Sequence, residues 1–540
     1  MRSRLLVPLV VFSSALLVYL LTMPPGLTWA NDSADGGDLI AAVVSGGVPH
    51  PSGYPTYVLL ATPLARLPWH NPAWRVTLLS ALAGAAAAAF VAATVQELLG
   101  RTNRAALAAA VAGLALAFSP LFWGQATVAE VYALHACLAA VLLWIVVRGQ
   151  QSGSVRWPAA AGLIFGLALG NHLTSIWLAP LFVVGVLPQR SHARLRKSPN
   201  QHTEVNATTE SQSAPRGGDF RSLVAGTGGL LAGLCVYLVL PLRAAGSPPI
   251  NWGNASTWQG FWWLVSGELY RGFVLAVPVT AFPGRLAAAG SLLIQSFLPW
   301  GLALAAVGAL IWPRIYRRVN VAMLASAGLA LVWALSYNTS DSYLSWLPAW
   351  PFVAVWLGVG FAEMAEWLSH ATPRGRWLTV ALAAAMIALP LTFNWQTNDR
   401  RRDRSAEDFV AGILQTVEPD AVVLTAGDRA TFGLWYGRYG AGQRPDVLPV
   451  SRDLWALASY RDAIGAAQPA LAGDTVEALI ENAMTASRPV YLTQVDQEPA
   501  DLPAPPAGAV WESLAGPLEG TRWQHWQIYR LTQNAEDSQQ

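Results

Sequence analysis

Long apolar runs recur along this chain between short polar loops, a pattern that predicts a bundle of membrane-crossing helices. A bilayer core of about 30 Å takes ~20 mostly apolar residues per helix. Runs of that order lie near 5–22, 76–99, 105–118, 128–147, 157–170, 173–188, 222–241, 286–312, 319–336, 346–368 and 377–394, so eleven crossings are expected. The stretch YPTYVLLATPLARLP (54–68) is short and bounded by prolines, and reads as an interfacial or re-entrant helix. The first run has the charged start and apolar middle of a signal peptide. No small-x-small cleavage pattern follows it, so it reads as a retained first helix.

The pattern changes after residue 394. Charge rises, the long apolar runs stop, and short apolar segments alternate with helical ones. AVVLTAG (421–427), RPVYLT (488–493) and QHWQIYRL (524–531) read as strands, and 453–466 and 474–487 as helices. The expected architecture is thus a polytopic α-helical membrane domain over 1–394 and a small C-terminal α/β domain over 395–540. Within the first, 190–219 is polar, rich in Ser, Thr and Asn and without periodicity, which predicts a disordered loop.

Composition agrees. With 54% hydrophobic and 12% charged residues in 540, an ordinary soluble protein is excluded. The net charge of +2 says little, but its distribution is informative. One set of alternate loops holds Arg2, Arg4, Arg101, Arg104, Arg148 and Arg156, the cluster Arg190, Arg194, Arg196 and Lys197, and then Arg314, Arg317, Arg318, Arg374 and Arg376. The intervening loops hold only Arg66, Arg75, Arg243, Arg271 and Arg285. Positive residues stay inside, so the N-terminus is expected in the cytoplasm, with the first loop (23–72) and the C-terminal domain outside. The two cysteines, Cys137 and Cys235, lie in apolar runs and give no disulfide framework or CxxC metal site. The 25 tryptophans fit interfacial belts first and sugar-stacking platforms second. Nucleotide-binding and hydrolase motifs are missing where they could work, and nothing indicates nucleic acid.

Candidate chemistry gathers in the outside loops. Asp32, Asp35 and Asp38 follow one another at three-residue spacing just beyond the first span, so a helix starting here sets Asp35 and Asp38 on one face. Helix capping accounts for one aspartate well and three poorly. His50 lies in VPHPSGYP, where flanking prolines fix the backbone. It is either an incidental turn residue or a rigidly held ligand for a phosphate or a sugar hydroxyl. Glu130 and His135 open an apolar helix, where an ionisable group costs ~2.5–3.5 kcal/mol at membrane depth and a structural cap remains the alternative. Asn171, His172 and Arg243 stand at the outside ends of spans, Arg243 as a bidentate phosphate grip or as a snorkelling side chain. Asp341 and Tyr343 join the same side as loop or ligand residues.

Taken together, DGGD (35–38), HPSGYP (50–55), FSPLFWGQATVAEVYALH (118–135), GLALGNHLT (166–174) and LPLRAAGSPPINWG (240–253) resemble the protein O-mannosyltransferase-like membrane proteins of glycosyltransferase family 117, formerly uncharacterised-domain family 2723. Serine at 52, where proline is usual, is a departure. In the tail, VVLTAGDRATFGLWY and RPDVLPV are similar to that family's C-terminal domain. The resemblance implies a GT-C fold and an inverting transfer of mannose or another hexose from a polyprenyl-phosphate-linked donor to a hydroxyl of a protein or envelope glycan. It implies Asp35 as general base with Asp38 positioning substrate. Tyr54, Asn251 and Trp252 join His50, Arg243, Glu130, His135, Asn171, His172 and Asp341 as substrate-binding positions. No cofactor is required by this scheme, while the acidic triplet leaves a divalent metal open. The expected location is the bacterial plasma membrane.

A transporter or flippase of lipid-linked glycans is the competing class. It usually shows related halves and mid-membrane ionisable groups, whereas no internal repeat is found and the polar candidates share one face. A non-enzymatic scaffold would have no use for the acid, histidine and arginine set.

Overall fold

The computed structural model describes residues 2–100, 102–150, 152, 154–187, 216–313, 316–495, 502–515 and 526–533. The expected disordered loop, 190–219, lies almost wholly outside them. The chain opens with α1 (Arg2–Thr22), followed by two short helices on the loop, α2 (Gly36–Ser45) and α3 (Pro55–Ala65). Next come α4 (Pro72–Leu99), α5 (Asn103–Ala117), α6 (Pro120–Ala126), α7 (Tyr132–Gly149), α8 (Arg156–Leu169) and α9 (Ala179–Val186). The second half of the bundle holds α10 (Arg216–Leu234), α11 (Val239–Ala244), α12 (Trp258–Val265), α13 (Phe282–Leu310), α14 (Arg317–Ser336), α15 (Trp350–Ala371) and α16 (Gly375–Asn398).

Among the described residues, eight helical segments are long and apolar enough to cross a bilayer, and up to nine if the bent pair α5–α6 is one span. The 69° bend falls at Pro120, which holds Ser119 in an extended conformation (ψ 138°) and ends α5. All eleven runs read from the sequence fall on helices. Two of them, Arg156–Leu169 and Leu173–Val186, are too short to span without tilting or thinning the bilayer. The segment Pro55–Ala65, eleven residues long, is likewise no crossing on its own. This is an integral membrane protein.

The span from Ser342 through α15 forms the centre of the bundle and is buried along its apolar length. Helices approach it and one another through glycines. A Cβ at Gly308 or Gly360 would lie 1.9 Å from the facing backbone of α15 or α13, and one at Gly229 would lie 2.0 Å from Ala159 O. Lipid offers helices no hydrophobic reason to associate, so such close backbone packing is what holds them together.

The tail adds α17 (Ser405–Thr416), α18 (Asp428–Trp435), α19 (Ala458–Ala467) and α20 (Val476–Thr485). Its strands are β1 (Val422–Ala426), β2 (Leu448–Ser451), β3 (Val490–Val495), β4 (Ala509–Ala515) and β5 (Trp526–Gln533). They form one sheet in the order β2-β1-β3-β5-β4, parallel across β2, β1 and β3 and antiparallel beyond. Three of the five strands were expected from the sequence. β2 and β4 were not, because LPVS is only four residues long and AVWESLA carries a glutamate in its middle.

The tail is docked on the first loop. Thr28 donates to Asp403 at 2.6 Å, Asn71 to Glu407 at 3.2 Å, and Trp29 packs on Phe409 with ring centroids 5.4 Å apart. Helix α18 lies directly on α2, where a Cβ at Gly37 would sit 2.2 Å from Phe432 O. Only glycine permits that approach.

Candidate active site

The residues from Asp32 to Asp38 do not form one continuous helix. Asn31 and Asp32 adopt left-handed conformations (φ 56° and 58°), Asp35 is the N-cap of α2, and Asp38 sits in its first turn. Asp35 makes no capping hydrogen bond with its side chain, so the bland account of it fails. Its carboxylate, 36% exposed, points instead to His50, with Oδ2 3.4 Å from Nε2.

Asp38 is fully buried and fully engaged. Its Oδ2 accepts from the His50 backbone N–H at 2.9 Å and pairs with His50 Nδ1 at 2.7 Å. Its Oδ1 accepts from Trp252 Nε1 at 3.1 Å. The imidazole is therefore clamped between two carboxylates, one closed off and one partly exposed. A short parallel bridge brings the partners together: Val48 N–H donates to Ile250 O at 2.8 Å and Trp252 N–H to Val48 O at 3.2 Å. Two loops about 200 residues apart in sequence are thereby held in fixed register.

Electrostatics follow from this packing. Burial raises the Asp35 carboxyl to about 7, opposed by the His50 charge and reinforced by Asp428, Asp341 and Asp38. Burial alone would lower His50, but Asp35, then the hydrogen bond and charge of Asp38, and Asp428 outweigh it and raise the ring to about 9. His50 is thus a cation among carboxylates at neutral pH. Asp428 is raised by burial, with His50 opposing and Asp453, Asp38 and Asp341 adding.

The remaining candidates line the surroundings. Tyr54 stacks edge-on against His50 at 4.9 Å, and its hydroxyl donates to Pro51 O at 3.3 Å. Tyr132 donates to Asp341 at 3.3 Å, and His172 lies 5.5 Å from the Tyr132 ring and 5.2 Å from His135. Burial and the His50 charge lower His172 to about 4, so it is neutral. Glu130 is buried with Oε1 unpartnered among the described residues, and burial raises its carboxyl well above the usual range, with Asp35 and Asp341 adding. Asn171 donates to Val131 O at 3.1 Å. Asp32 accepts from the Tyr343 hydroxyl and ties the loop to the segment before α15.

Arg243 does not join them. Its guanidinium donates to Ala42 O at 3.3 Å, Gly47 O at 3.1 Å and the Thr62 hydroxyl, at the C-terminal end of α2. Asp35 stands at the other end, roughly 10 Å from Ala42 by helical rise. The expected phosphate grip is a helix C-terminal cap, the place where a cation best meets free carbonyls. Asn251 is also peripheral, with its amide 3.5 Å from Ala244 O.

Four contributors were not singled out from the sequence. Tyr270 faces Asp35, Asp428 and Asp38, and its hydroxyl is raised by burial and then by those charges. Asp428, Phe432 and Trp435 come from α18; Phe432 stacks near-parallel to His50 at 6.3 Å, and Trp435 packs on Trp252 at 6.1 Å. One signal was available: Asp428 follows the carboxyl end of a predicted buried strand, where open α/β sheets place ligands. Among the described residues, no three His, Cys, Asp or Glu side chains are gathered to hold one metal ion.

The chain is similar in sequence and in fold to known proteins. The family model described as Protein O-mannosyl-transferase TMEM260 N-terminal domain matches residues 35–194, beginning at Asp35. Protein O-mannosyl-transferase TMEM260 of Mus musculus is 27% identical over 471 residues, 83% of this chain and 63% of that one. The Dictyostelium discoideum protein of the same name is 26% identical over 147 residues, 27% of this chain and 17% of its own. The crystal structure of ArnT from Cupriavidus metallidurans bound to undecaprenyl phosphate superposes with a TM-score of 0.60 over 97% of both chains at 14% identity, and its apo state with 0.59. The chain is similar in sequence to these O-mannosyl-transferases and shares the fold of ArnT, a GT-C fold. It spans 63% of the mouse relative's length, and the family match covers the clamp residues Asp35, Asp38 and His50 but not Trp252 or the tail.

Proposed function

We propose that the protein is a membrane glycosyltransferase that moves a hexose, mannose by likeness to its relatives, from a polyprenyl-phosphate-linked donor to an acceptor hydroxyl of a protein or envelope glycan. The observation that carries the reading is the Asp38–His50–Asp35 clamp, which presents one carboxylate of raised basicity to a cleft at the membrane boundary. In the step proposed, Asp35 takes the proton of the acceptor hydroxyl. The acceptor oxygen forms its bond to the anomeric carbon from the face opposite the phosphate, and the carbon–oxygen bond to phosphate breaks with its electron pair on the lipid phosphate. Configuration inverts. A positioned base contributes typically ~10²–10⁴ in rate.

His50 keeps Asp35 ionisable near neutrality and supplies the positive field of the cleft. Asp38 has no free face and acts by positioning His50. The scheme uses no cofactor. The arginine distribution supports a cytoplasmic N-terminus and a clamp on the outer face of the membrane.

The test is transfer from polyprenyl-phosphate mannose by membranes holding the wild type or Asp35→Asn, with expression and thermal stability matched. Loss of at least a hundredfold is expected; undiminished transfer would remove Asp35 from the base role.

A further inference from the structure

The bundle has a concave site at the end away from the clamp. A crevice of about 1120 Å³ opens between the N-terminal part of α1, the C-terminal parts of α4 and α7, and the first turns of α5 and α8. Helix α7 runs from Tyr132 beside the clamp to Arg148 at the crevice, roughly 24 Å by helical rise. The two sites thus face opposite leaflets.

The crevice is built in two halves. One wall is apolar: Leu5 and Leu6, 59% and 64% exposed, stand beside Phe90 and Trp144, whose rings lie 5.5 Å apart. The other wall is polar and basic. Arg148 is neutralised by its ion pair with Glu97. Arg156 has no carboxylate partner among the described residues; it rests over the Trp157 ring at 5.0 Å and leaves its guanidinium to the crevice mouth. Thr102 and Asn103 open α5 on the same side, so the positive end of that helix dipole adds to the charge of Arg156.

We propose that this crevice seats an anionic phospholipid of the leaflet opposite the catalytic cleft, its phosphate on Arg156 and the first turn of α5, its acyl chain along Leu5, Phe90 and Trp144. Basic pockets between helices on the arginine-rich face of membrane proteins hold such headgroups. The apolar wall speaks against a soluble phosphate as occupant. The position speaks against the glycosyl donor, whose reacting end must reach Asp35.

Native mass spectrometry of the full-length protein, purified in neutral detergent with equimolar phosphatidylglycerol and phosphatidylcholine of matched chains, tests this. One phosphatidylglycerol per chain should be retained over phosphatidylcholine by about fivefold, the scale of one basic contact. Arg156→Gln, a change at an exposed side chain, should bring the two within twofold, and Ala93→Phe should reduce retention of both by narrowing the crevice. Equal retention by the wild type, or an undiminished preference in Arg156→Gln, would overturn the site. Polyprenyl phosphate outcompeting phosphatidylglycerol, or inorganic phosphate displacing it, would overturn the assignment to a phospholipid.

Discussion

The clamp makes a quantitative statement about pH. In the proposed scheme transfer needs Asp35 as carboxylate and His50 as imidazolium, groups raised to about 7 and about 9. Activity therefore rises as pH climbs through 7 and falls as it climbs through 9. With those midpoints the productive form is about a tenth of the enzyme at pH 6 and roughly four fifths at pH 8, a difference of about ninefold. Asp428→Asn sharpens the test. The Asp428 charge raises both Asp35 and His50, so removing it lowers both, and the whole bell moves toward acid. A merely structural residue would lower the maximum without moving both limbs together. The assay is initial transfer from a labelled lipid-linked mannose between pH 5 and 10, in detergent at fixed ionic strength. A rate flat from pH 5 to 7 would mean an Asp35 of ordinary acidity, and limbs that stay put or move apart in Asp428→Asn would refute the electrostatic account.

Three further outcomes are expected. Glu130→Gln should keep transfer within about threefold of wild type, because burial raises that carboxyl well above the usual range and favours its neutral form, which Gln resembles; a hundredfold loss would show that it works as an anion. Arg243→Gln should lower the thermal midpoint through about 1–3 kcal/mol, chiefly from the Gly47 carbonyl left without its donor, while leaving the donor KM unchanged; a raised KM at unchanged stability would return Arg243 to phosphate binding. Gly37→Ala forces a Cβ to 2.2 Å from Phe432 O. It should cost ~1–3 kcal/mol and speed proteolysis between 395 and 404; wild-type stability would mean that α18 does not press on α2.

Much of this was legible in the sequence because the relevant forces act locally. Hydropathy located every long helix, since no backbone segment can sit in lipid without satisfying its own hydrogen bonds. The short motifs around Asp35, His50 and Trp252 contained the clamp residues but not their pairing, since HPSGYP alone reads His50 as a turn residue or a phosphate or sugar ligand. Reach and direction were not legible. Arg243 has the same charge whether it grips a phosphate or caps a helix, and only the position of Ala42 O and Gly47 O decides. Equally, Asp35 and Asp38 look interchangeable by spacing, yet one is closed in by Trp252 and the other is partly exposed.

The tail changes the physical meaning of the first loop. Ala41, Ala42, Val48, Ile250 and Trp252 from two membrane-domain loops share one apolar core with Phe432 and Trp435 from α18. An Asp–His–Asp array left open to water would titrate near ordinary values, because solvent would screen each charge from the next. Burial raises Asp35 toward neutrality and by itself would lower His50, whereas the Asp428 charge raises both and helps Asp35 and Asp38 to hold His50 charged. Helix α18 thus stacks Phe432 on His50 and adds the Asp428 charge to the surroundings of Asp35, so the carboxylate proposed as base owes part of its raised basicity to residues nearly 400 positions further along the chain.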